Sequence, residues 1–250
     1  MERSECDAFM LAALKGDVPG PATFWKTAYR NLLWYEPYAG GHLPHIYDSN
    51  ALKGTRAWLT RAKLADAYLA TEFNQPITFN GQCDRLLTHF APGAQRQNYL
   101  GTGLSCLIAQ ALSYFIGVPT QGEVPVSDIV PAAKDKSYYS GSNKIDLLAE
   151  GRGKPRVGIS NKWSLRNDRD TEIAHMATFL KTHSPVKYLV VVTNEFGLGR
   201  LNQLLNFDSI DGVYHLNRAL LAKVYEPGPI PNGRLRDVSA LFADVKRWTV

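Results

Sequence analysis

The run Tyr188-Leu-Val-Val-Val-Thr193 constrains the fold more than any other stretch of this chain. It is apolar at consecutive positions and rich in β-branched valine, so a strand built from it avoids water on both faces. Such a strand sits inside a covered sheet, and the neighbouring segments carry the pattern of the cover. Asp168 or Asp170 can cap a helix over about 171–181, and 198–206 reads as a short helix. A strand over 212–216, a helix over 216–224 and a last helix over 236–248 follow, the last of them after the Pro- and Gly-rich residues 227–233.

Upstream, Leu100, Leu104, Leu107, Ile108, Ala111, Leu112 and Phe115 form the wide apolar face of a helix over 99–116, which Gly117 closes. Residues 119–142 supply a first, irregular strand. Two short strands then flank the turn residues Gly151-Arg-Gly-Lys-Pro155, the first over 143–150 and the second beginning at Val157. This order predicts an α/β fold, a mixed β-sheet of about five strands flanked by helices.

Helical patterns at 4–15, 24–35 and 55–73 make residues 1–98 a mainly helical N-terminal region ahead of an α/β core over 99–250. Whether the two form one continuous domain is left open by the sequence. With 250 residues the chain can bury a sizeable core. Its net charge of +5 suits a polyanionic partner. Cys6, Cys83 and Cys106 are odd in number and far apart, which speaks against a disulfide scaffold. There is no secretory h-region and no apolar run of membrane-spanning length, so the expected setting is cytoplasmic, with no membrane partner.

Chemistry concentrates at the two short strands. If they pair as an antiparallel hairpin, Asp146 on the first comes near Lys162 on the second. Gly158, Ser160 and Lys162 then share one face, because residues two apart in a strand point the same way. A carboxylate can hold a hard divalent cation, and an ammonium can steady a developing negative charge. The structural alternative is a cross-strand ion pair on a half-solvated sheet. His42, His45, Cys83 and His89 match no tight zinc-ligand spacing, and no phosphate-cradling Gly-rich loop with a following Lys is present.

The two strands resemble the PD-(D/E)XK nuclease superfamily, and Lys162-Trp-Ser-Leu-Arg-Asn-Asp-Arg169 resembles the active-site strand of type II restriction endonucleases. The resemblance spans about residues 99–193. It departs from the signature at Ile145, where Pro often stands, and at Ser160 and Ser105, where acids are expected. It implies Mg2+-dependent, sequence-specific hydrolysis of phosphodiester bonds in double-stranded DNA. Asp146 would anchor the metal, joined by Glu172 from the following helix, with the Ile159 carbonyl as a further ligand and the Ser160 hydroxyl beside it. Lys162 would orient water or neutralise charge. Glu123, Asp128, Asp135 and Glu150 compete with Glu172, which could equally complement a helix dipole. Arg166 and Arg169, with Asn161 and Ser164, would contact DNA, although the two arginines could instead pair with Asp168 and Asp170. The N-terminal hundred residues and the segment after Thr193 would form arms around the duplex. The resemblance also implies a DNA methyltransferase in the same system and allows a homodimer, each subunit cutting one strand. Two other functions share this fold: a DNA-binding protein that no longer cuts, suggested by the two serines, and a structure-specific repair nuclease.

Overall fold

Six strands form one sheet in the order β1 (Thr120–Pro125), β2 (Lys144–Ala149), β3 (Arg156–Lys162), β4 (Val186–Thr193), β5 (Gly212–His215) and β6 (Leu235–Asp237), each beside its neighbour in sequence. They belong to a computed structural model that describes residues 25, 104–105, 108–109, 111–130, 143–151, 156–162, 165, 169–225, 230–231 and 233–249. Pairing is antiparallel from β1 through β3 and parallel from β3 through β6. A parallel step needs a crossover, and helices supply each one. The helix over 111–116 (α1) precedes the sheet, and a single turn α2 (Val126–Ile129) follows β1. The crossovers are α3 (Arg169–His183), α4 (Leu198–Leu205) and α5 (Arg218–Val224), and α6 (Ser239–Thr249) ends the fold.

The expected mixed sheet flanked by helices is therefore present, with one strand more than anticipated. The extra strand is β6, whose residues the sequence assigned partly to the last helix. Asp237 explains the break. Its carboxylate accepts from the Ser239 backbone N–H at 3.0 Å and from the Ser239 hydroxyl at 2.7 Å, which starts α6 only after the strand has ended.

The apolar run behaves as its composition requires: Leu189 and Val190 through Val192 are fully buried in β4. Helix α3 packs on β4 and α4, and α6 packs on β3 and β6. Trp248 of α6 stacks on Tyr188 at 4.5 Å between ring centroids. Gly151, where the chain leaves β2, passes against the end of α6, and a Cβ there would lie 2.8 Å from the Thr249 Cα. Only glycine admits that approach. Gly117 closes α1 at φ +66°, donating its N–H to the Ser113 carbonyl at 3.0 Å.

The residues after Thr193 are not an arm. They complete the sheet as β5 and β6, and Leu201, Leu204, Leu220, Leu221, Leu241 and Val245 are buried in the common core. Of residues 1–98 only Trp25 is described. It is helical, 2% exposed, and tilted against Phe242 of α6 with centroids 6.2 Å apart, so that position belongs to the same core. The rest of the helices expected over 4–15, 24–35 and 55–73, together with His42, His45, Cys83 and His89, lie outside the described residues. Among the described residues no helix is long and apolar enough to cross a membrane.

Candidate active site

The antiparallel ladder between β2 and β3 runs from Ala149–Val157 to Leu147–Ile159 and then stops. One step further the register would set Asp146 opposite Ser160. At that step the Asp146 side chain replaces the backbone as acceptor. Its Oδ2 takes the Asn161 backbone N–H at 2.8 Å, the Ser160 hydroxyl at 3.1 Å and the Lys162 Nζ at 2.6 Å. Carboxylate and ammonium thus converge as the sequence anticipated, with side-chain exposures of 19% and 27%. Three donors hold a single oxygen, and charge assistance makes the lysine contact the strongest of them. Among the described residues Oδ1 receives no donor.

Ser160 is buried on the carboxylate's own face and braces it. Asn161 points the other way, as strand alternation requires. Its Nδ2 donates to the Ser105 Oγ at 3.0 Å, and among the described residues its buried Oδ1 has no hydrogen-bond partner. The sequence places it among the DNA contacts; in the structure its side chain is 3% exposed and turned toward Ser105. Ser105, at the expected acidic position of the preceding helix, is engaged with this amide rather than with Asp146. Ile159 lies within both ladders of β3 with its side chain fully buried.

Glu172 occupies the first turn of α3 and is exposed. Of its competitors, Glu150 pairs with Arg156 at 3.4 Å and Asp128 accepts from the Ser127 hydroxyl at 3.4 Å. Glu123 pairs with Lys144 at 3.6 Å, and the register of β1 on β2 places it opposite Asp146. Its backbone is left-handed (φ +53°), a conformation rare outside glycine. Asp135, Ser164, Arg166 and Asp168 lie outside the described residues, as does the side chain of Arg169, whose backbone begins α3. Among the described residues no three His, Cys, Asp or Glu side chains gather as a metal centre would.

A second polar cluster, unforeseen from the sequence, lies at the C-terminal ends of the parallel strands. Lys162 stands beside Thr193 in register, and two residues beyond it Glu195 is 2% exposed. Its Oε2 accepts the Leu165 N–H at 2.7 Å and its Oε1 the Gly197 N–H at 2.6 Å. A polar pair directly after a buried parallel strand (Asn194-Glu195) was the available signal, since that end of such a sheet is where ligands collect.

His215 of β5 packs beneath this cluster, fully buried. Its Nδ1 accepts the Asn217 N–H at 3.0 Å, which leaves the proton on Nε2 to donate to the Glu195 carbonyl at 3.0 Å. Burial pushes its pKa down to about 4, against which the hydrogen bond to Glu195 works in the opposite direction. In the unfolded chain this histidine binds a proton near its ordinary value of 6.5. Between those two values the unfolded state carries the extra proton, so stability present above about pH 6.5 falls as the pH drops toward 4. The loss is on the order of 3 kcal/mol. Urea unfolding at pH 7.5 and 4.5 measures it, and a His215→Gln variant is expected to lose much less between the two pH values.

No protein-family model matches the chain, and no curated protein matches it. Solved structures do. The chain is similar to the restriction endonuclease PspGI in a substrate–DNA complex, at 13% identity and a TM-score of 0.48, covering 99% of this chain and 91% of that one. It is also similar to metal-depleted Ecl18kI in complex with uncleaved, modified DNA, at 13% identity and a TM-score of 0.46, covering 98% of this chain and 72% of that one.

Proposed function

We propose that this protein is a Mg2+-dependent endonuclease that hydrolyses phosphodiester bonds in double-stranded DNA, of the type II restriction class. One observation carries the proposal: Asp146 and Lys162 meet at 2.6 Å where β2 and β3 part, partly open to solvent. A purely structural ion pair explains that contact equally well in energy. It does not explain why two further donors, from Ser160 and Asn161, are spent on holding the same oxygen in place. A carboxylate braced on one oxygen, with no donor to the other among the described residues, suits a site that must present a hard ligand in a fixed direction.

Asp146 Oδ1 would hold the magnesium ion, which typically takes one or two protein carboxylates and completes its shell with water and substrate phosphate oxygens. Glu172, or Glu123 from across the β1–β2 ladder, would supply the second carboxylate. The cation, when bound, contributes Lewis acidity and a lowered pKa for water at neutral pH. Lys162, tethered through Asp146, would place its ammonium beside the scissile phosphate and offset the charge that builds on its oxygens. Ser160 would keep the Asp146 carboxylate from swinging. Arg166 and Arg169 follow this strand directly and would meet the DNA, where the planar guanidinium fits a phosphate or the O6/N7 edge of guanine.

A second reading has its own observation. Ser160 and Ser105 stand where acids are expected and are hydrogen-bonded within the protein, which favours a DNA-binding protein that no longer cuts. Incubating the purified protein with plasmid and Mg2+ separates the two. Discrete fragments whose sequenced ends share one motif support the restriction endonuclease. A gel shift with intact plasmid supports the binder, and ends mapping to junctions or lesions support a structure-specific nuclease.

A further inference from the structure

Among the described residues Glu195 shares no hydrogen bond with Asp146 or Lys162, and burying a carboxylate is expensive unless every oxygen is satisfied. Its two oxygens are satisfied separately. Oε2 accepts the backbone N–H of Leu165, and Arg200 of α4 donates from Nη1 to the carbonyl of the same residue while lying 3.4 Å from Oε2. The Glu195–Arg200 pair therefore receives the N–H and supplies a donor to the C=O of a single residue, as a neighbouring strand would. Leu165 itself is 1% exposed. Gly197 completes the arrangement. Its N–H reaches Oε1, and a Cβ at that position would lie 2.8 Å from this oxygen, so a larger residue there would push the carboxylate from this position. His215 fixes the backbone of Glu195 from below.

Leu165 is three residues past Lys162 and one before Arg166. Lys162 is already held by its ladder with β4 and by Asp146, so this clamp acts on the residues beyond it. We infer that Glu195 and Arg200 are positioning residues, which pin Leu165 ahead of α3 so that the start of that helix is presented to DNA in one geometry. The inference rests on the DNA-directed function proposed for Asp146 and Lys162 and extends it to residues that need touch neither DNA nor metal.

The test measures equilibrium binding to duplex DNA with Ca2+ in place of Mg2+, alongside single-turnover cleavage, for Glu195→Gln, Arg200→Ala and Arg200→Lys. Lys181→Ala serves as a structural control, because Lys181 pairs with Asp211 at 2.6 Å on the β4–β5 side of the fold. Thermal melts accompany each variant. The expected result is DNA binding weakened about 10- to 100-fold in Glu195→Gln and Arg200→Ala, partial recovery in Arg200→Lys, and a melting shift no larger than that of the control. Lys181→Ala is expected to bind DNA as the wild type does. Folded Glu195 and Arg200 variants that bind and cut like wild type overturn the inference while leaving the proposed function standing. A wild-type protein that neither binds nor cuts DNA overturns the proposed function instead. If Glu195→Gln fails to fold, the comparison of Arg200→Ala with Arg200→Lys decides alone.

Discussion

Replacing Asp146 with asparagine or Lys162 with alanine is expected to abolish DNA cleavage while leaving duplex binding within a few-fold of wild type. The two side chains share one 2.6 Å contact and, in the proposed mechanism, one job, so each loss should cost about 1,000-fold or more in single-turnover rate, roughly 4 kcal/mol of barrier. Asparagine is the informative replacement at 146. Its side-chain oxygen can still accept the Asn161 N–H and the Ser160 hydroxyl, so the end of the β2–β3 ladder stays intact while the charge disappears. Alanine there would also strand a part-buried N–H and confound activity with stability. Because the two groups act as a unit, the double variant should be little worse than either single one. A folded Asp146→Asn or Lys162→Ala protein that cuts at the wild-type rate would remove both residues from the chemistry.

The largest effect on stability is expected outside the Asp146–Lys162 pair, at Asp244 of α6. This carboxylate is 5% exposed and holds three partners: the Tyr214 hydroxyl at 2.6 Å, Arg236 at 2.5 Å and Arg247 at 2.9 Å. Tyr214 is fully buried in β5, and its pKa lies well above the ordinary range, first through burial and then through the hydrogen bond to Asp244. It therefore remains a donor throughout the working pH range. Asp244→Ala leaves that donor without its acceptor and parts Arg236 of β6 from the helix above it. Removing one member of a buried charged network costs about 3–5 kcal/mol. Both arginines reach water here, so the lower end of that span applies. The melting temperature should fall by about 6–12 °C, with cleavage at 25 °C unchanged for the folded fraction. A loss below about 1 kcal/mol in urea unfolding would mean that the pairing is incidental.

The two residues proposed to carry the chemistry were visible in one dimension for a simple reason. Asp146 and Lys162 lie in adjacent strands joined by a short turn, so local pairing alone brings them together, and strand alternation separates Ser160 from Asn161 without any knowledge of the fold. The apolar run of β4 likewise announced a covered sheet. The closing strand β6 was harder to see. Three residues whose partner, β5, lies across an intervening helix carry too little pattern of their own, and only the cap at Asp237 separates them from α6.

The linear chain thus determined a mixed α/β sheet and the convergence of one acid and one base, both consequences of short-range periodicity. Tertiary structure alone decided the rest. It turned Asn161 inward onto Ser105, added β6 to the sheet, and brought Glu195 and Arg200 onto Leu165. Those contacts join residues 30, 35 and 56 positions apart. Parallel strands meet only after a helical crossover, so such partners become neighbours through packing, and no periodicity in the intervening sequence records it.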